Sequence, residues 1–426
     1  MAEHIETIIV GGGQGGLSIS YCLKQQGREH IILDKAYQSA QAWRDRWDSF
    51  TLVTPNWMVR LPGAPYQGDQ PDGFMTREEI VSFFDSYIEH FDLPIRYGVR
   101  VRSVEPSGNC FLVKTDQGDF ESENVVIAVG LFQHPKFPTL YKDISAQITQ
   151  IHSSQYRNPS ELPPGAVLVV GSAQSGSQIA EELHLGGRKV YLAVSTAGRI
   201  PRRYRGVDSY KWMDEMGYFR RTVDELKSPK DKFAPSAHAT GKNGGYTLNL
   251  HQFAKDGMQL LGHVAHAENE VLIFAPDLKE NLAKADQFEL DFVKEVDRFI
   301  EDHHLDVPTE TLPRLTDGYD IDEILELNLN RSGISSIIWA TGYQFDFSWV
   351  RSPVFDQDGF PEQYCGITKT RGLYFIGLPF LHTGISGVIA GVGDDAEYIA
   401  SDICEKKMKT NLFKSSKEHA HISPCF

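Results

Sequence analysis

Thr7-Ile-Ile-Val10 is a short apolar run, β-branched throughout, and predicts a buried strand. Gly11-Gly-Gly-Gln-Gly-Gly16 follows at once. Leu17–Leu23 then repeats apolar residues at helical spacing, and His30-Ile-Ile-Leu33 predicts a second strand closed by Asp34. The same order returns 160 residues later: strand Ala166–Val170, loop Gly171-Ser-Ala-Gln-Ser-Gly176, helix Gln178–Leu185 and strand Lys189–Val194. Thr76-x-x-Glu79 is a capping box ahead of Ile80, Phe83, Phe84, Tyr87, Ile88 and Phe91, which share one helix face and predict core. Ile95–Val104 and Cys110–Lys114 predict strands, and Leu290–Ile300 an amphipathic helix. Asn124–Gly130 and Ser335–Gly342 share one outline, an apolar strand, a small residue and a glycine, which marks where a chain passes between domains. Lys406–Phe426 is polar and lysine-rich without periodicity and predicts a flexible tail.

Composition narrows the function classes. The 426 residues suggest two or three units. Forty-two basic against 57 acidic residues give a net charge of −15, which argues against nucleic acid or an anionic membrane as main partner. No apolar run approaches the roughly 20 residues of a bilayer span, and the first strand starts before any cleavable signal could fit. Five separated cysteines without a Cys-x-x-Cys pair fit a reducing, cytoplasmic location and supply no metal site.

Both βαβ units carry chemistry. Gly11 allows a tight turn, Gly13 lets a pyrophosphate approach the backbone, and Gly16 permits close packing of helix on strand. The phosphates would lie at the helix N-terminus beside Gln14, where N–H groups and the helix dipole favour an anion. Asp34 is placed to hold ribose hydroxyls, with Lys35 beside it. In the second loop Ala173 replaces the middle glycine and Gln174 and Ser175 lead into Gly176. No acid closes the second strand. Ser195 and Thr196 stand there, with Arg199, Arg202 and Arg203 beyond, a set that favours a 2′-phosphate and hence NADPH over NADH. A solvated basic loop is the other reading of these arginines. Two such units imply a resident flavin and a visiting nicotinamide. The fold class is α/β with two dinucleotide-binding, Rossmann-like domains. The expected FAD domain is discontinuous, 1–159 and 331–405, the NAD(P)H domain with a substrate-region insertion is 160–330, and the tail is 406–426.

At this point the sequence resembles the flavin-containing monooxygenases. Its first loop is similar to their FAD site and Gly171–Gly176 to their NADPH site. Ile151-His-Ser-Ser-Gln-Tyr-Arg157 resembles the second half of the fingerprint F-x-G-x-x-x-H-S-x-x-Y, and Trp339-Ala-Thr-Gly-Tyr343 matches the late A-T-G-Y motif. Gly372–Gly377 and Gly391–Ala396 resemble the closing strand and helix. The fingerprint's Phe and Gly are replaced by Ala146 and Ile148, a departure that marks a divergent subfamily. Trp43 through Pro65 and Leu381-His-Thr-Gly384 resemble a bacterial branch of flavin-dependent oxidoreductases often encoded beside nitrilase-type genes, a pointer to nitrogen-containing substrates. The resemblance implies a monooxygenase in which NADPH reduces FAD, O₂ forms a C4a-peroxyflavin, and an amine or sulfur compound is oxygenated. It implies that Asn56, with Thr54 before it, contacts the flavin–oxygen region, although Pro55 separates them here. It also implies that Trp43, Arg46 and Trp47 lie by the isoalloxazine and Val101 beside the adenine. Ala128, Gly130 and Gly342 fall at the domain crossings, and Gly377 and Asp394 near the flavin. The partners are a small molecule and O₂, and a homodimer is compatible with this reading. An FAD-dependent NAD(P)H reductase without oxygen insertion, and a flavoprotein kept as a binding module, are the competing readings.

Overall fold

The computed structural model describes residues 2–233 and 237–419, with side chains up to 405 apart from that of 229. Two parallel sheets organise it. The first has seven strands in the order Gln363–Tyr364, Ile367–Thr368, Leu373–Phe375, Asn124–Ile127, Thr7–Val10, His30–Asp34, Ile95–Tyr97. Its five inner and distal strands run parallel, and the first two form an antiparallel edge hairpin. Thr7–Val10 is buried at every position, as expected of a strand covered on both faces. One cover is the helix Gln14–Gln25 packed on the last helix, Val392–His419, where Ile19 and Leu23 share a core with Ile399 and Ile403. The other includes Val104, Val113 and Phe120 of the four-stranded sheet Glu3–His4, Asp119–Ser122, Cys110–Thr115, Val101–Ser107.

The second sheet has five parallel strands in the order Thr149–His152, Ile334–Trp339, Ala166–Val170, Val190–Ala193, Gln259–Leu261. Two neighbouring strands of this sheet lie outside the expected boundaries. Thr149–His152 and Ile334–Trp339 pair inside this sheet, so limits at 160 and 330 cut through it. Apolar strands that lead into a crossing belong to whichever sheet they pair with, and nothing local in their composition says which.

The capping box forms as read: Glu79 N–H donates to Thr76 Oγ1 at 3.3 Å, and Thr76 N–H donates to Glu79 Oε2 at 2.8 Å. Leu290–Ile300 is part of the longer helix Leu278–His303, whose Phe292, Val296 and Ile300 are buried. The expected tail is helical as far as His419, because no Gly or Pro interrupts Asp394–Ser423 and Ala, Glu and Lys propagate a helix well. Residues 420–426 lie outside the described residues. Among the described residues no helix is long and apolar enough to cross a membrane.

Between Val194 and Gln259 the second unit sends an insertion onto the first. Thr222 bridges Thr383, Gly384 N–H donates to Arg221 O at 2.9 Å, and Met58, Phe219 and Ala390 pack with Trp57, Tyr210, Met213 and Ile385.

Candidate functional site

The first loop is held by backbone shape. Gly11 has φ +108°, and a Cβ there would lie 2.7 Å from Ala128 O, the residue after the neighbouring strand. A Cβ on Gly16 would lie 1.9 Å from Gly11 O, so only hydrogen fits. Gly13 faces open space and caps a helix without a side-chain cap, which leaves the helix start accessible to an anion. Asp34 braces this turn: its Oδ2 accepts from Gly12 N–H at 2.5 Å and its Oδ1 from Ala36 N–H at 2.7 Å. Each oxygen keeps a second lone pair for a ribose hydroxyl. Lys35 is exposed beside it. Gln14 Nε2 donates to Gly387 O at 2.7 Å, tying the loop to the approach of the last helix, and Gly377, φ +75°, abuts Gly15. Val99 N–H donates to Asp34 O, which brings the start of Val101–Ser107 alongside with Val101 half-buried.

The second loop repeats this construction. Gly171 has φ +99°, its Cβ would lie 2.6 Å from Ala340 O, and a Cβ on Gly176 would lie 1.8 Å from Gly171 O. Ala340 thus stands where Ala128 does, and Gly342 (φ +76°) where Gly130 does (φ +63°). Ala173 is the uncapped start of the helix Gln174–Leu185, with Ser175 half-buried in its first turn. The surroundings differ. Residues 238–240 run along this helix start: Ala239 N–H donates to Gln174 Oε1 at 3.1 Å, and Gln178 Nε2 donates to Ala239 O at 3.1 Å. His238 is buried against Ser172 O and Ser177 Oγ, and burial pushes its pKa down to about 4.

The arginines past Val194 are engaged by protein groups, which corrects the sequence expectation for Arg199. Its guanidinium is buried and Nη2 lies 2.7 Å from both Asp286 and Glu289, on the helix Leu278–His303. Arg202 pairs with Asp208, and Arg203 donates to Gly245 O at 2.9 Å and Gly244 O at 2.8 Å. Half-buried acids distant in sequence hold Arg199, Asp208 six residues on holds Arg202, and backbone carbonyls hold Arg203. Half-buried Ser195, whose N–H donates to Ser172 Oγ at 3.0 Å, and exposed Thr196 remain at the strand end.

On the flavin side one further correction follows, for Trp47. Asn56 is buried and both ends of its amide are engaged: Nδ2 donates to Gln70 O at 2.9 Å and Oδ1 accepts from Met75 N–H at 2.8 Å. It staples the turn at 70–75 with one amide N–H and one oxygen lone pair, while Thr54 is half-buried nearby. Trp47 is buried in the core of the second unit with Tyr156, Ile179 and Leu183, drawn there by the apolar space under that helix. Trp43 is half-buried against Phe50 and Phe84. Arg46 keeps a cofactor-compatible environment. Its Nε is buried without a hydrogen-bond partner, and burial lowers its pKa.

Asp394, the expected last-helix residue, is exposed, and its neighbour Asp395 turns inward. Asp395 is 2% exposed, its Oδ2 has no hydrogen-bond partner, and burial pushes its pKa up to about 6 against a hydrogen bond from Ser386. Sequence reading cannot separate two adjacent first-turn acids, because both suit the helix dipole. His152 ties the crossings together: its Nε2 lies 2.9 Å from Gly342 O and its Nδ1 3.0 Å from Ser154 Oγ.

Two open helix starts framed by obligate glycines, an acid at the first strand end only, and a buried orphan cation fit two dinucleotides of different ribose chemistry. The family model described as pyridine nucleotide-disulphide oxidoreductase matches residues 8–207. An oxidoreductase named CzcO from Bacillus subtilis (strain 168) is 34% identical over 93% of this chain and 99% of its own length. A CzcO-like oxidoreductase of Geobacillus kaustophilus (strain HTA426) is 31% identical over 95% of this chain and 99% of its own. Among solved structures, a flavin-containing monooxygenase from Stenotrophomonas maltophilia shares the fold with a TM-score of 0.65 at 17% identity, over 95% of this chain and 99% of that one. The chain belongs to the family of CzcO-type oxidoreductases.

Proposed function

We propose that the protein is a single-component monooxygenase that holds FAD at Gly11–Gly16 and NADPH at Gly171–Gly176 and oxygenates a nitrogen- or sulfur-containing small molecule with O₂. The observation that carries this reading is the pair of loops of one construction within one chain, one with an acid at its strand end and one with hydroxyls. Bound FAD, once reduced, supplies the oxygen-activating chemistry. The chain's own contribution is placement. Gly13 and the N–H groups at Gln14–Gly16 receive one pyrophosphate, Asp34 the adenosine ribose, and the start of Gln174–Leu185 the other pyrophosphate. Asp395 and the start of Val392–His419 offer a buried acceptor and a positive helix end where the first loop meets Gly387. The apolar cluster of Met58, Phe219 and Ala390 with Trp57, Tyr210 and Ile385 excludes water at the contact between insertion and last helix, which suits an apolar amine or thioether. Among the described residues, no disulfide joins Cys22, Cys110, Cys365 or Cys404.

The test is stopped-flow absorbance of the flavin-loaded protein, reduced anaerobically with NADPH and mixed with O₂. A transient absorbing between the reduced and oxidised flavin bands, consumed faster when an amine or thioether is added, is the expected result. Direct return to the oxidised spectrum would replace the proposal with a reductase, and a protein that binds no flavin would refute both.

A further inference from the structure

Resting on that functional reading, the geometry points to Arg202 as the positioning residue that sets the nicotinamide-binding unit in register with the flavin-side segment 52–56. Arg202 is 2% exposed; its Nη2 lies 2.7 Å from Asp208 Oδ2 without a formed hydrogen bond, and its other groups reach both units. Nη1 donates to Val53 O at 2.7 Å, across to the first unit and directly before Thr54. Nε donates to Asp208 Oδ2 at 2.7 Å, within its own unit. One face lies over Phe74 of the first unit, 4.4 Å from the ring centroid, and the Tyr210 ring of the insertion is 5.1 Å away.

Each partner is itself anchored. Asp208 Oδ1 caps the helix Ser209–Glu215 by accepting from Tyr210 N–H at 2.9 Å, and that helix carries Tyr210 and Met213 to the apolar cluster beside Ile385. Phe74 precedes Met75, whose N–H is held by Asn56, and Leu52 N–H donates to Met75 O at 2.8 Å. Segments 52–56 and 73–75 therefore move together, and Arg202 grips both. On its own side, Arg202 N–H donates to Thr247 Oγ1 at 2.8 Å and its carbonyl accepts from Ser209 N–H at 3.0 Å, so the grip reaches the insertion's backbone.

Stability alone does not explain a charge in this place. A buried ion pair barely offsets its own desolvation, and an apolar side chain of similar volume fills such space at equal or lower cost. What the guanidinium adds is direction: a planar fork with fixed donor angles and two stacking faces, which a lysine ammonium does not reproduce. A junction defined in both angle and distance is what transfer between two separately bound cofactors requires, since a displacement of about 1 Å costs about 100-fold in rate.

The test compares wild type with Arg202→Met and Arg202→Lys. FAD content, reduction by dithionite, the NADPH dissociation constant and the limiting rate of anaerobic flavin reduction by NADPH are measured on each. The expected result is a limiting rate lowered about 100-fold in R202M, with FAD content and dithionite reduction unchanged and the NADPH constant shifted far less than the rate. R202K restores charge without the fork and stays at least about tenfold below wild type. Should R202M not fold, Phe74→Leu removes one stacking face and lowers the same rate in a folded protein. An R202M or F74L protein that reduces at the wild-type rate overturns the assignment. A wild-type flavin that NADPH does not reduce overturns the functional reading and this assignment with it.

Discussion

Replacing Arg199 by Met separates two roles for a conspicuous basic residue. Its Nη2 stands 2.7 Å from Asp286 and 2.7 Å from Glu289, with the guanidinium side chain 5% exposed and the acids 17% and 16% exposed. Removing the cation leaves two carboxylates facing each other in a partly desolvated site, and breaking a buried pair from one side costs about 3–5 kcal/mol. Burial pushes the Asp286 carboxyl up, but hydrogen bonds from His251, Tyr319 and Arg199 outweigh it and hold Asp286 well below the usual carboxylate range. A lowered acid contributes stability that is present above its unfolded pKa and is lost as pH falls through the folded value. Arg199→Met weakens that contribution, so the loss at neutral pH exceeds the loss at strongly acid pH. Denaturant unfolding at pH 7.5 and near pH 2, together with kcat/KM for NADPH and for NADH at neutral pH, gives the answer. The expected outcome is a large stability loss at pH 7.5 with the NADPH:NADH ratio held within about twofold. An unchanged midpoint with a ratio that falls by about tenfold or more, equivalent to about 1.4 kcal/mol of lost phosphate recognition, would refute the ion-pair role.

Three other outcomes are expected. Asp395→Asn stabilises the apoprotein at pH 8 by on the order of 3 kcal/mol, because a carboxyl whose folded pKa is about 6 against 3.8 is penalised when ionised. That advantage shrinks as pH falls from 6 and is gone near pH 4 in urea unfolding, and a variant no more stable than wild type at pH 8 contradicts the buried-acid geometry. Gly16→Ala puts a Cβ 1.9 Å from Gly11 O, so the purified protein loses most of its FAD, read as the ratio of flavin to protein absorbance. Ser195→Arg places a cation at a strand end the native arginines do not reach, raising the NADPH:NADH ratio of kcat/KM by about tenfold through a charge-assisted phosphate contact.

How much was legible depended on the range over which each residue is determined. The glycine loops were readable because a left-handed φ and a Cβ clash are local facts: Gly11, Gly16, Gly171 and Gly176 stand as the spacing predicts. The Thr76 capping box and the buried strand Ala166–Val170 belong to the same class. The stapling role of Asn56 was not legible because its partners, Gln70 and Met75, reach it through a turn whose path its own neighbours do not encode. Arg199 was misread because Asp286 and Glu289 lie almost ninety residues on, on a helix whose docking is a tertiary event. Trp47 went to the other unit's core for the same reason. Asp394 and Asp395 were told apart only by which faces inward, a matter of helix phase that their shared position in the first turn conceals.

The chain enters the second sheet through Thr149–His152 and leaves it through Ile334–Trp339, and these two strands are neighbours in register, His152 beside Trp339. The His152 ring bonded to Gly342 O fastens the two exits just beyond the sheet. A body hung from two adjacent tethers has one soft degree of freedom. Twisting about the line through the tethers strains few bonds, whereas sliding would shear both strands. Under the proposed function, in which a visiting nucleotide meets a resident one, this joint supplies a swivel with the Arg202 grip as its latch.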